Sequence, residues 1–174
     1  MELLDLLLNR RSVRQYADGN IPKEKLEKIL LAGLLSPSGK NRKPWEFVVV
    51  QEKETLTKLS RCRQSGAKML ENAACAIAVF ADPEKTDVWT EDCSIAMNNM
   101  HLMADSLGLG SCWIQGRLRS SEDGKTTEKA CRELLSVPDN YVLEGMLALG
   151  VLKEHPAAHT LGELEMSKIH YEKF

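Results

Sequence analysis

Four short apolar runs separated by helix-like stretches constrain this chain more than any other feature of its sequence. Several are β-branched or aromatic, and Gly, Pro or Asn residues flank them, which is typical of buried strands. They cover residues 45–50, 75–81, 111–116 and 141–152. Gly145 and Gly150 predict breaks in the last run. Short buried strands alternating with helices favour an α/β or α+β sandwich of helices on a sheet.

The stretches between these runs carry apolar residues at helical spacing. They predict helices over residues 3–8, 22–36, 52–61, 66–73, 88–107 and 126–135. Pro22 is a helix-start signal, and Gly108 ends the longest helix. That helix is rich in Ala and Met, which indicates burial over much of its circumference.

Length and composition are those of one ordinary globular domain spanning residues 1–174. The formal charge of −2 gives no electrostatic case for nucleic acid or an anionic membrane as partner. No apolar stretch reaches the ~18 residues needed to span a bilayer, and the N-terminal residues do not resemble a signal peptide. Five irregularly spaced cysteines without a C-x-x-C pair indicate a reducing, cytoplasmic setting. The four histidines are scattered, and they predict no metal site.

The segment Arg10-Arg11-Ser12-Val13-Arg14 concentrates hydrogen-bond donors at the end of the first predicted helix. The planar fork of arginine suits carboxylate or phosphate, so the segment is a candidate site for an anionic ligand. A solvated charge run is the alternative interpretation of this segment taken alone.

The C-terminal tail, residues 155–174, remains apolar at several positions after Pro156. A polar linker would not carry these side chains. The tail is therefore expected to dock, either on its own domain or on a partner chain.

Three segments together resemble the FMN-dependent nitroreductase family. They are Arg10-Arg11-Ser12-Val13-Arg14, the stretch from Pro37 to Trp45, and Gly108-Leu109-Gly110-Ser111-Cys112-Trp113-Ile114-Gln115-Gly116. The longest helix, the Ala148-Leu149-Gly150 strand and the ending Lys168-Ile169-His170-Tyr171 resemble that family in the same order. The resemblance implies an α+β sandwich with a mostly antiparallel sheet flanked by helices. It also implies an intertwined homodimer whose tail, residues 155–174, crosses over and adds a strand to the partner's sheet.

The resemblance also implies a role for each segment in binding FMN. Arg10 and Ser12 would hold the phosphate and ribityl end, with Arg11 toward solvent or the phosphate. Arg14 would lie near the pyrimidine edge of the ring, where a cation favours the anionic reduced flavin.

Further predicted contacts come from other parts of the chain. The second subunit would contact the ring through Pro37, Ser38, Gly39 and Asn41. The backbone N–H at the Gln115-Gly116 strand end would reach flavin N5. Lys68 lies where the family can carry a further basic residue, and His159 lies near where larger members bring Lys or Arg to the phosphate.

Two departures from the family pattern bear on the site. Lys43 stands where glutamine is frequent, and only residues 82–87 bridge the gap where larger members carry a helical insertion over the flavin.

The predicted function is a ping-pong oxidoreductase in which NADH or NADPH reduces FMN. The flavin then passes electrons to a nitroaromatic, a quinone or a similar small acceptor. No nucleophile–base pair stands out, and flavin chemistry requires none. The alternatives are an FMN carrier or sensor dimer without turnover, a dehalogenating or flavin-fragmenting relative, and a dimer with no ligand.

Overall fold

A computed structural model describes residues 2–174 and shows the predicted α+β fold. The strands are β1 (Tyr16–Ala17), β2 (Trp45–Val50), β3 (Cys75–Ala81), β4 (Leu109–Gln115) and β5 (Val142–Leu152). The α-helices are α1 (Leu3–Asn9), α2 (Lys23–Leu34), α3 (Lys53–Arg61), α4 (Trp89–Ser106) and α5 (Thr127–Leu135). Short 3-10 helices lie at Gly39–Asn41, Lys68–Asn72, Leu161–Glu163 and Met166–Lys168.

All named strands join one antiparallel sheet, and β5 is its central strand. One edge of β5 pairs with β4 along its length, from Leu109↔Val151 to Gln115↔Gly145. The other edge pairs with β3 and, beyond the end of β3, with the short strand β1. Strand β2 pairs only with β3 and closes that side of the sheet. The side of β4 away from β5 is therefore an edge of the sheet.

The predicted break of the last strand at Gly145 and Gly150 is wrong, because β5 runs unbroken through both residues. These glycines allow close packing instead. A Cβ atom at Gly150 would lie 2.4 Å from Cγ of Tyr16, and one at Gly145 would lie 2.8 Å from the carbonyl oxygen of Ile114. The prediction also missed β1, and a 3-10 helix at Lys68–Asn72 stands where a helix over 66–73 was expected.

A β-bulge interrupts the pairing of β5 with β3. The register passes from Val79↔Gly145 to Phe80↔Leu143, so Glu144 is the extra residue on β5. Leu143 packs in one core layer, whereas the Glu144 side chain turns toward Ser94 of α4 in the other layer. Regular alternation from Met146, which packs in the same layer as Leu143, would place Glu144 in that layer too. The bulge therefore redirects the carboxylate to the α4 face.

Each face of the sheet carries its own layer of the hydrophobic core. Helices α3 and α5 cover one face through Leu56, Leu59 and Cys131. Helices α2 and α4 cover the other face, where Met97 and Met100 are fully buried. All five cysteines are buried free thiols. Among residues 2–174, no helix is long and apolar enough to cross a membrane.

The C-terminal tail lies on the surface of the single chain. Residues 157–174 are all exposed and form no strand, only the last two 3-10 helices. Large apolar side chains stay uncovered at Leu161, Leu164, Met166, Ile169, Tyr171 and Phe174. The crossing of the tail to a partner stays a prediction.

Candidate functional site

The basic segment that follows α1 lies along the edge of β4. Ser12 forms a parallel bridge with Ser111, and the Val13 N–H donates to the carbonyl of Ser111 at 2.8 Å. The Val13 side chain is buried, which anchors the segment, while Arg10 and Ser12 are half-buried and Arg14 is exposed. The structure thus brings Arg10, Ser12 and Arg14 to the start of β4.

A chain of hydrogen bonds fixes Arg10. Its Nη1 lies 2.9 Å from Nε2 of His101 on α4, and Nδ1 of His101 lies 2.6 Å from Oγ of Ser111. Since a guanidinium can only donate, Nε2 of His101 accepts and Nδ1 carries the proton donated to Ser111. Burial and the nearby charge of Arg10 lower the pKa of His101 to about 4, so the ring is neutral at pH 7. His101 therefore fixes the position of Arg10 without neutralising the charge of the guanidinium.

The start of the tail attaches beside this segment. Arg11 donates to the carbonyl of Ala157, and the His159 N–H donates to the carbonyl of Leu8 at 2.9 Å. The ring of His159 is exposed and lies 3.2 Å from a carboxylate oxygen of Glu163. The backbone of His159 is thus tied to the end of α1, while its side chain faces a carboxylate.

Arg63, which the sequence analysis missed, adds to the positive charge beside β4. Burial raises the pKa of the Cys112 thiol, and the charges of Arg14 and Arg63 oppose that shift. Burial and the charge of Arg119 lower the pKa of Arg63. Arg14 and Arg63 thus both lie near Cys112 on β4, and Arg63 also lies near Arg119. Lys68, by contrast, is exposed, and its side chain makes no hydrogen bond or ion pair within residues 2–174.

The loop at residues 37–41 lies against the N-terminal half of α4. The Gly39 N–H donates to Oδ1 of the buried Asp92 at 2.8 Å, and a Cβ atom at Gly39 would lie 2.7 Å from Cγ2 of Val88. The Lys43 N–H donates to Oγ of Ser38 at 2.9 Å, which closes the loop. Pro37 and Asn41 are exposed, and Asn41 has a left-handed φ of 56°. The loop is therefore held in one shape while it presents Asn41 to solvent.

The strand end at Gln115 is supported from β5. The Gln115 amide nitrogen lies 3.2 Å from the carbonyl and 3.3 Å from Oε1 of Glu144, and its oxygen accepts from Trp113 Nε1 at 2.9 Å. Glu144 is 3% exposed, and burial raises the pKa of its carboxyl, although the bond from Gln115 opposes this. Its Oε2 has no hydrogen-bond partner within residues 2–174. The sequence analysis did not single out this carboxylate.

The backbone of β4 decides which N–H group is free at the sheet edge. In a strand, the N–H and C=O of one residue point to the same side, and the side alternates along the chain. The carbonyl of Ser111 faces Val13 at the free edge, so the N–H of Gln115, four residues on, also faces that edge. The Gly116 N–H instead donates to the carbonyl of Glu144 at 3.1 Å. Gln115 therefore offers the free N–H, about 13 Å along the strand from Ser111.

The predicted site residues fall into two groups within one chain. Arg10, Ser12 and Arg14 lie near His101 in the C-terminal half of α4, whereas Gly39 lies against Asp92 near its N-terminus. Asp92 and His101 are nine positions apart on α4, which is a rise of about 13 Å. Within residues 2–174, no group of three or more His, Cys, Asp or Glu side chains is arranged to hold a metal ion.

The fold and these contacts define an α+β protein with an arginine-rich segment at the edge of an antiparallel sheet. The profile of the Nitroreductase family matches residues 7–65 and 59–151. The chain therefore belongs to the nitroreductase family.

Relatives and solved structures agree with this assignment. An FMN-dependent nitroreductase from Clostridium difficile R20291 is 46% identical, with a TM-score of 0.96 over 99% of this chain and 100% of that chain. A relative from Archaeoglobus fulgidus, provisionally named an NADH dehydrogenase/NAD(P)H nitroreductase, is 39% identical over 99% of both chains. A structure from Desulfovibrio desulfuricans, solved in complex with FMN, is 24% identical, with a TM-score of 0.77 over 98% of this chain and 96% of that chain, and it supports the fold alone.

Proposed function

We propose that this protein is an FMN-dependent NAD(P)H oxidoreductase that reduces a small-molecule acceptor. The observation that carries the proposal is the fixed Arg10 guanidinium beside Ser12 and the free edge of β4. Its nearest partner, His101, is neutral, so the charge of Arg10 remains available for an anion. A phosphate suits this arrangement because an arginine fork can bind two of its oxygens at once. The similarity to a structure named as an FMN-dependent nitroreductase supports FMN as the phosphate-bearing group.

In this proposal, residues beside and along β4 would contact FMN in order, from its phosphate to its ring. Arg10 and Ser12 would bind the phosphate and ribityl end, and Arg11 would add charge beside the tail. Arg14 would supply positive charge at the pyrimidine edge, and Arg63, whose charge also acts on Cys112, would add to it. The free N–H of Gln115 would serve as the donor to the ring that was predicted for Gln115 and Gly116. When bound, FMN supplies the two-electron chemistry between NAD(P)H and the acceptor.

A homodimer would complete this site. The loop at residues 37–41 is separated from Arg10 within one chain, so Pro37, Ser38, Gly39 and Asn41 would reach the ring from a second copy. The uncovered apolar side chains of the tail supply a reason for two copies to associate. In this proposal residues 1–174 form one domain, and residues 155–174 cross over and add a strand to the partner's sheet. Lys68 and His159 remain predicted phosphate or ring contacts, and the cytoplasm remains the predicted location.

The test combines flavin binding with reduction. Purified protein is reconstituted with FMN, freed of excess flavin, and titrated anaerobically with NADH and with NADPH while the flavin absorbance is recorded. Bleaching by either nucleotide, followed by recovery when a nitroaromatic or quinone is added, is the expected result. A protein that binds FMN but stays oxidised for minutes is the carrier or sensor of the alternative hypothesis. A protein that retains no FMN contradicts the proposal altogether.

A further inference from the structure

A pocket borders the end of β4 on the side of the Gly116 backbone. Its volume is about 240 Å³, and its lining joins the starts of α4, α5 and β5 to the turn after β4. The lining residues are Trp89, Gly116, Arg117, Leu118, Arg119, Thr126, Glu128 and Val142. This Trp89–Arg117 pocket lies immediately after Gln115, whose N–H faces the free edge. Ligand pockets for drug-sized molecules usually reach ~300–1,000 Å³, so this pocket suits a single ring rather than a dinucleotide.

The charges at the pocket are unbalanced. Neither Arg117 nor Arg119 forms an ion pair within residues 2–174. Glu128, the acidic residue of the lining, accepts from the Leu143 N–H at 3.1 Å and lies 3.9 Å from Arg132. Arg119 also lies near Arg63, and each charge disfavours the other. The charge of Arg117 also acts on the buried Glu144, where it opposes the rise in pKa that burial causes. Glu128 is bound to other groups, so the two guanidiniums outnumber the carboxylate of the lining, and such a pair is suited to an anion.

The walls of the pocket favour a flat, apolar ring. Trp89 and Val142 are half-buried, and the Arg117 guanidinium lies over the Trp89 ring, 5.8 Å from its centroid. Leu118 is 79% exposed and adopts a left-handed φ of 57°, in a turn closed by the Arg119 N–H donating to the Gly116 carbonyl at 3.2 Å. An exposed leucine in a costly backbone conformation is an outlier that calls for a functional reason. Contact with an apolar ligand ring at the rim would be such a reason.

Resting on the function proposed above, we infer that the Trp89–Arg117 pocket binds the acidic group of a single-ring aromatic acceptor. Arg117 and Arg119 would bind the carboxylate, and Trp89, Leu118 and Val142 would contact the ring. The chain would then prefer anionic acceptors over neutral ones of the same shape.

Direct binding tests this inference without turnover. 4-Nitrobenzoate and 4-nitrobenzamide have nearly the same shape but differ in charge, and each is titrated calorimetrically into oxidised protein without reductant, with and without FMN. We expect 4-nitrobenzoate to bind at least about tenfold more tightly, as for one charged contact. Arg117→Gln and Arg119→Gln should each reduce that ratio, whereas the exposed Arg61→Gln should leave it unchanged. Trp89→Phe should weaken both ligands alike, because it alters the wall and not the charge.

The outcomes separate this inference from the proposed function. Equal affinity for the two ligands, or a ratio that survives both arginine substitutions, overturns the inference even if FMN binds and is reduced. A charge preference without FMN retention supports the pocket and rejects the oxidoreductase.

Steady-state rates of reduction then compare the two acceptors. In this reaction each nitro group takes up two electrons, which come from one NAD(P)H, and two protons. It loses one water molecule and becomes a nitroso group. A preference in kcat/KM for 4-nitrobenzoate that Arg117→Gln abolishes is the expected result.

Discussion

The two ends of β4 each rest on a buried titratable side chain, but only one of these side chains is fully paired. At Ser111, both ring nitrogens of His101 have partners, at 2.6 and 2.9 Å. At Gln115, Oε1 of Glu144 has contacts of 3.3 and 3.4 Å, and Oε2 has no partner within residues 2–174. The hydrogen bonds are thus short and complete at one end, and long and incomplete at the other.

Under the proposed function, this difference would give the two ends of β4 different roles in binding the ligand. A phosphate keeps its charge throughout a reaction, so the end near Arg10 can be fixed in one arrangement. The end near Gln115 would face the part of the ligand whose charge changes. An unpaired buried oxygen there costs free energy until a donor or a proton arrives. Four predictions test this contrast, from the largest expected effect to the smallest.

Acidification should destabilise the protein through His101. The pKa of this ring in the folded state is about 4, below its ordinary value of 6.5. Between these two pH values the ring is mostly protonated in the unfolded chain and mostly neutral in the folded chain. The contribution of His101 to the free energy of unfolding is complete above pH 6.5. It is lost as the pH falls toward 4, and the total loss is roughly 3 kcal/mol. Chemical denaturation at pH 7, 5.5 and 4.5 measures the loss. His101→Gln, which keeps an acceptor for Arg10, should flatten this pH dependence, and the exposed His170→Gln should not. Parallel curves for all three proteins would contradict the role given to His101.

Removal of the Arg10 charge should weaken FMN binding. Arg10→Leu removes one charged hydrogen-bonding group, worth roughly 1.5–3 kcal/mol, so affinity should fall by about 10- to 150-fold. Flavin fluorescence titration measures the dissociation constant. Arg61→Leu, at an exposed position of α3, is the matched control and should bind FMN normally. Unchanged affinity in Arg10→Leu would leave the segment as the solvated charge run of the alternative interpretation.

The two serines that support the ends of β4 should differ in their contribution to stability. Ser111→Ala removes the partner of a buried ring nitrogen at 2.6 Å, which should cost about 1–2 kcal/mol in the free energy of unfolding. Ser94→Ala removes only a 3.4 Å contact with Glu144, and its cost should stay below about 0.5 kcal/mol. Denaturation of the two variants side by side provides the measurement. Equal costs would show that the two ends are equally well paired.

Neutralisation of Glu144 should stabilise the protein at high pH. Burial raises the pKa of this carboxyl, so the folded state favours the protonated form and loses stability as the pH rises through that pKa. At pH 8, Glu144→Gln should therefore unfold at a higher denaturant concentration than the parent protein. Its free energy of unfolding should be larger by about 1 kcal/mol or less. The advantage should shrink as the pH falls. A loss of stability at pH 8 would mean that the ionised carboxylate is needed by its neighbours.

The sequence predicted those parts of the molecule that depend on local pattern. The runs at residues 45–50 and 75–81 are strands with the predicted bounds, because short apolar runs between turn-forming residues favour strands. The family and its fold followed from segments in the right order. The breaks predicted at Gly145 and Gly150 were wrong, because a glycine that breaks a strand and one that admits a neighbouring side chain look alike in a sequence.

The residues that the sequence analysis missed depend on tertiary contacts. A single histidine on an apolar helix gives no sign that it will meet Arg10, 91 positions away in the sequence. Arg63 follows α3 outside any motif, and its place near Cys112 depends on how α3 packs. Glu144 did leave a signal, since it is the one acidic residue within the apolar run at residues 141–152. The β-bulge that turns it toward α4 has no comparable signature.

The burial of every cysteine has a practical consequence for studying how this molecule moves. The thiols are between 0% and 7% exposed; Cys62 directly follows α3, and the others belong to β3, α4, β4 and α5. An alkylating reagent can reach them only during transient opening, so its rate of reaction at each cysteine measures the free energy of opening at that position. Mass spectrometry of the alkylated peptides would thus map the local stability of both core layers, without any introduced label.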